Sequence, residues 1–147
     1  MTPDSPKHWR NKHLESVASR VAAMPAANRL SLEELAGKVS AALIRVEAEL
    51  EALMTDSRAR NGAPGPLVAR IQDAAKLCAQ YIDGFNAENP GMIGPVTRRS
   101  IVYGIGGAAG LLSAVSAAAA CASVATAHLA LSDYDVRPQP MDGGGGK

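Results

Sequence analysis

The chain has 147 residues and a formal net charge of +1, with 20% charged and 3% aromatic residues. That length suits one domain, the near-neutral balance supplies no field that would gather nucleic acid, and the shortage of aromatic and β-branched runs argues against a sheet. Cys78 and Cys121 stand far apart without metal-type spacing, so neither a disulfide framework nor a zinc site is expected, and no metal or cofactor is expected elsewhere.

Residues 1–25 predict a short basic amphipathic helix. Ser5 and Pro6 supply a cap and a first-turn proline, and Trp9, His13, Val17, Val21 and Met24 recur at spacings of four and three, with Lys7, Arg10, Lys12 and Arg20 around them. Met1 to Arg10 lacks the apolar core of a signal peptide, so the N-terminal part is expected in a cytoplasm.

Residues 31–84 predict a helical hairpin. Ser31 followed by Glu34 has the capping-box pattern, and Leu32, Leu35, Val39, Leu43, Val46, Leu50 and Leu53 follow at an average spacing of 3.5, a coiled-coil seam that needs a partner to bury it. The cluster SRARNGAPGP at 57–66 reads as a linker. A second amphipathic helix then carries Leu67, Ile71, Ala74, Cys78 and Tyr81 or Ile82 on one face and stops at Gly84. Residues 85–99 read as a loop that leads to Arg98 and Arg99.

From Ile101 to Ser132 the chain carries no Asp, Glu, Lys or Arg. Such a run exceeds the roughly 20 residues that cross a bilayer, so residues 100–132 are expected to form one long, Gly/Ala-rich apolar helix of transmembrane type. Small residues recur every fourth position at Gly106, Gly110, Ala114, Ala118 and Ala122, continuing through Thr126 and Ala130, and this stripe is the expected helix–helix interface. Arg98 and Arg99 flank the run on one side and Asp133 and Asp135 on the other, which orients the hairpin toward the cytoplasm in a single-pass arrangement, with Tyr103 and Tyr134 as interface anchors. The segment 133–147 is expected to be a disordered tail.

No motif for chemistry survives scrutiny. Gly104, Gly106 and Ala109 fit a dinucleotide fingerprint, but the surrounding sequence offers helices where the fold needs strands. The expectation is therefore an all-α, non-enzymatic protein: an amphipathic, coiled-coil-like helical hairpin followed by the apolar helix. Its expected role is that of a small membrane-anchored interaction or assembly protein, with lipid, further copies of itself or a helical protein as partners and no nucleic acid. The alternatives are a membrane-active lysis, toxin or translocator protein, and a soluble oligomeric structural subunit of a virion or secretion apparatus. The plan is one carried by small bacterial and phage proteins.

Overall fold

A computed structural model describes residues 6–55 and 65–134. Most of the expected linker at 57–66, the tail beyond Tyr134 and the Trp9 side chain lie outside the described residues. The described residues hold five helices and no strand: α1 (Pro6–Ala22), α2 (Ala26–Thr55), α3 (Gly65–Glu88), α4 (Pro95–Ala114) and α5 (Ala117–Ser132).

Helices α2 to α5 form an antiparallel four-helix ring in which α2 packs on α3, α3 on α4, α4 on α5, and α5 back on α2. Side-chain pairs fix the register of each seam. Arg70 meets Glu49 at 2.7 Å and Lys38 sits 5.2 Å from the centre of the Tyr81 ring, while the side chains of Asn28 and Asn89 bond at the end of the same seam. Arg98 holds Asp83 with two bonds of 2.8 and 3.0 Å between α3 and α4. His128 Nε2 stands 3.0 Å from Glu47 between α5 and α2. Short connections make this up-and-down order the natural one for amphipathic helices of this length.

The seam of α2 explains much of the core. Leu32, Leu35, Val39, Leu43, Val46 and Leu50 are all buried and Leu53 is partly so, which places the 3.5-residue stripe against α3 and α5 of the same chain. Burying one such side chain stabilises the fold by about 1.5–3 kcal/mol. The facing stripe on α3 is Leu67, Ile71, Ala75, Cys78, Ile82 and Phe85. Three expected boundaries move, one of them at the expected loop 85–99, whose residues from Pro95 onward, Arg98 and Arg99 included, belong to α4. Helix α2 begins five residues before Ser31, whose hydroxyl donates back to the Ala27 carbonyl at 3.4 Å, so the capping box with Glu34 is not formed. Helix α3 continues through Gly84 to Glu88 because Phe85 is a buried core residue whose packing outweighs the helix cost of one glycine, about 1 kcal/mol.

The largest correction concerns residues 100–132, which form two helices instead of one. Val115 leaves helical geometry at φ −127° and ψ −79°, and Ser116 is extended at φ −169° and ψ 163°. The Val115 and Ser116 N–H groups both close on the Leu111 carbonyl, at 2.8 and 2.9 Å, and the Ser116 hydroxyl accepts from the Ala119 N–H at 3.0 Å. Each end thus gains partners for groups that a helix terminus otherwise leaves open. The reversal also lets Ile101, Ile105 and Leu112 share a core with Ala120, Val124 and Ala127, contacts that a straight helix cannot make with itself. No helix among the described residues is long and apolar enough to cross a membrane.

Helix α1 lies outside the ring, at the end where α2 and α4 begin and α3 and α5 finish. It buries Val17, followed by Met24 in the turn to α2, so the expected apolar stripe is used in part for packing. The α3–α4 turn is closed by a reciprocal pair, with Asn86 Nδ2 donating to the Ile93 carbonyl and the Ile93 N–H donating to Asn86 Oδ1, both at 2.9 Å. Gly91 occupies the left-handed region in this turn, at φ +75°.

Candidate interaction surface

The α4–α5 hairpin is assembled around Gly104. A Cβ at this position would lie 3.0 Å from Ala127 Cβ and 3.0 Å from the Ser123 carbonyl oxygen, so the absence of a side chain is what sets the helix separation. Ser123 Oγ then donates to the Gly104 carbonyl at 2.6 Å and ties the two backbones together. With the larger aliphatic side chains turned inward, what remains outside is nearly bare helix. Gly107, Gly110, Ser113 and Ala114 of α4 are exposed, as are Ala118, Ala122, Ala125 and Thr126 of α5. Tyr103, Val115 and Leu129 are exposed apolar groups on the same two helices and their turn. Charge is confined to one end of the hairpin.

The expected interface stripe is divided by the break. Gly110, Ala114, Ala118 and Ala122 are all exposed, and a Cβ on Gly110 would meet nothing within 4 Å. Gly106 stands apart, half-buried toward α3, where an added Cβ would sit 4.0 Å from Ala75 Cβ. The expected flanking arginines also separate. Arg98 is engaged by Asp83 across the α3–α4 seam, and that bond holds the Asp83 carboxyl below its usual range, with the Arg98 charge assisting. Arg99 is exposed, and among the described residues it has no hydrogen-bond or ionic partner.

At the charged end the structure brings together residues that spacing alone leaves unrelated. His13 Nε2 of α1 lies 3.2 Å from Asp133, whose side chain is only 4% exposed, although a residue at the foot of a tail reads as solvated. Tyr134 is buried at 1% exposure and is therefore a core residue, in place of the interface anchor expected of it. Its hydroxyl is 3.5 Å from Thr97 Oγ1 and accepts from Arg20 Nη2 at 3.4 Å, and Arg20 Nη1 donates to the Gly91 carbonyl at 3.4 Å. These long-range contacts fasten α1 to the bundle end. No sequence period announces them, because each partner is a single polar residue at an element's edge.

Beside this cluster α1, α4 and α5 enclose an open groove of about 790 Å³. Gly104 and Ser123 line it deep in the hairpin, Val96, Tyr103 and Leu129 form its apolar walls, and Arg99 and the His13–Asp133 pair mark its polar margin. The thiols offer no matching chemistry. Burial pushes Cys78 up to about 11, and burial together with Glu51 and Glu47 also raises Cys121. Among the described residues no group of His, Cys, Asp and Glu is arranged to hold a metal ion. Comparison of the chain with known proteins finds no matching family model, no similar curated protein and no similar solved structure.

Proposed function

We propose that the chain is a small helical assembly protein that binds further copies of itself through the outer face of α4 and α5, a role of association without a catalytic step. The observation that carries this reading is the uncharged, small-residue face on which Gly110, Ala114, Ala118 and Ala122 are all exposed. Such a face lets a second helix pair approach until dispersion and weak Cα–H···O contacts accumulate, and it lacks the charged side chains that ordinarily keep exposed helices apart. The Leu/Val seam of α2 enters this proposal as the support for that face, since it packs the hairpin from behind.

Sedimentation velocity of the full chain tests the proposal. The parent is expected to associate at micromolar concentration, while Gly110→Glu and Ala122→Glu, both at open positions, give a species of lower mass with unchanged circular dichroism. A parent that stays monomeric at high micromolar concentration ends the reading.

Anchoring at a membrane is a second reading, supported by exposed Tyr103, Val115 and Leu129 on a face with Arg99 at its edge. A folded hairpin would then rest its face in the headgroup region, with the arginine attracted to anionic lipid. Flotation with anionic and neutral vesicles separates the two readings.

A further inference from the structure

We propose that the groove between α1, α4 and α5 is a binding site for a small amphipathic monoanion, an organic carboxylate with an aliphatic body. Three observations converge on it. Its volume, about 790 Å³, falls in the range of roughly 300–1,000 Å³ that holds small molecules. Val96, Tyr103 and Leu129, three of the large apolar side chains that the fold leaves in solvent at 64%, 68% and 57% exposure, all line this one groove. An apolar ligand body lying between them would remove that surface from water.

The charge balance chooses the sign of the ligand. Asp133 is the carboxylate of the lining, and His13 covers it at 3.2 Å with the side chain almost out of solvent. Arg99 is the exposed full charge of the lining, and its guanidinium has no partner among the described residues. Two of the groove's hydroxyls are already donating, Ser123 to the Gly104 carbonyl and Thr126 to the Ser123 carbonyl, each at 2.6 Å. Those two offer lone pairs, not protons, and the charged donor for an anion is Arg99, whose planar fork matches a carboxylate. A cationic ligand would meet Arg99 at the margin, and a neutral one would leave that charge unused. This inference does not depend on self-association, because the groove lies at the opposite end of the hairpin from Val115.

The test uses decanoate as the probe and the full chain labelled with nitrogen-15. Decanoate below its micellar range is expected to give saturable shifts with one-to-one stoichiometry, concentrated at residues 96–104 and 123–130. Arg99→Gln, at an exposed position without partners among the described residues, is expected to weaken binding by about tenfold, the usual scale for losing a charge-assisted bond. Decanol is expected to bind the parent no better than decanoate binds Arg99→Gln, and Leu129→Glu to abolish decanoate binding with the circular dichroism unchanged. Absence of saturable shifts, equal affinity for the parent and Arg99→Gln, or shifts that appear only where decanoate self-associates would each overturn the proposal. So would a second copy of the chain occupying the groove, seen as decanoate binding that is lost when the chain oligomerises.

Discussion

Replacing Gly104 by Ala isolates the close approach at the centre of the α4–α5 hairpin. The new methyl would stand 3.0 Å from both Ala127 Cβ and the Ser123 carbonyl oxygen and 3.3 Å from the Ala127 nitrogen. Carbon atoms in good contact sit about 3.5–4.0 Å apart, and two of these neighbours are backbone atoms that no rotamer change can move. The helices must separate by several tenths of an ångström. Overpacking of this kind costs about 1–3 kcal/mol, and the same movement lengthens the 2.6 Å Ser123–Gly104 bond. Against this, Gly to Ala in a helix interior gains about 1 kcal/mol of propensity. Gly110→Ala, compared at concentrations where the chain is monomeric, supplies the control: it lies in the same helix, receives the same gain and meets nothing of its own chain within 4 Å. Subtracting one variant from the other removes the propensity contribution and leaves the packing cost, expected at about 1–3 kcal/mol. In urea unfolding followed by circular dichroism, Gly110→Ala should be more stable than the parent and Gly104→Ala less stable. If the two midpoints coincide, Gly104 does not set the helix separation and the account of the hairpin is wrong.

Leu43→Ala empties a fully enclosed part of the α2 seam and should cost about 2–5 kcal/mol, read as a lower urea midpoint at unchanged m-value. Thiol modification should follow burial: iodoacetamide at pH 8 alkylates Cys121 first, while Cys78, at 0% exposure, reacts only as fast as the fold opens, as peptide mass spectrometry would show. Because the Cys78 thiol is raised in the folded state, its contribution to stability is fully present below the unfolded value near 9 and is lost as pH climbs toward about 11, so Cys78→Ala should flatten the alkaline limb of a stability profile. Asp83 behaves oppositely. Its carboxyl is lowered by the Arg98 bond, so its contribution is present above the unfolded carboxylate range and lost as pH falls through the lower folded value, and Asp83→Asn should lose slightly less stability than the parent between pH 6 and pH 3.

The helical ring was legible wherever large apolar residues keep a period. In α2 the 3.5-residue spacing of Leu32 to Leu50 identifies every buried position from sequence, since a Leu or Val stripe has one way to leave water. The α3 face is legible to within one residue: Leu67, Ile71, Cys78 and Ile82 are in the core, while Ala75 is buried where Ala74 was expected. In α4 and α5 the period of residue size fades. Alanine, glycine and serine differ too little in size and hydropathy to distinguish one face from another, so the run reads as uniform and therefore as continuous. Ser116 is a cap only because the residues on either side fold back, and Ser113 and Ser123 look the same in sequence. Gly104 is hidden for a related reason, since Gly106, Gly107 and Gly110 follow within six residues and a Cβ at Gly110 would meet nothing within 4 Å. The His13–Asp133 and Thr97–Tyr134 contacts join positions that no local pattern connects.

The two-residue reversal at Val115 and Ser116 also decides which molecule α5 belongs to. Every contact that α5 makes with α2 and α4 would be equally good if offered by a neighbouring copy, so the contacts themselves do not favour the closed chain over an exchanged pair. What favours it is the hinge, through the Ser116 cap and the two N–H groups that close on Leu111. A Val115→Ala, Ser116→Ala chain removes the cap, worth about 0.5–2 kcal/mol, and puts the best helix former at both positions. One helix from Pro95 to Ser132, about 57 Å long, then becomes competitive. Its second half would reach past its own bundle and complete another, giving an intertwined dimer that should elute at twice the mass and refold to monomer only after dilution through the unfolded state. Two residues with almost no burial thus govern whether the fold closes within one polypeptide or between two.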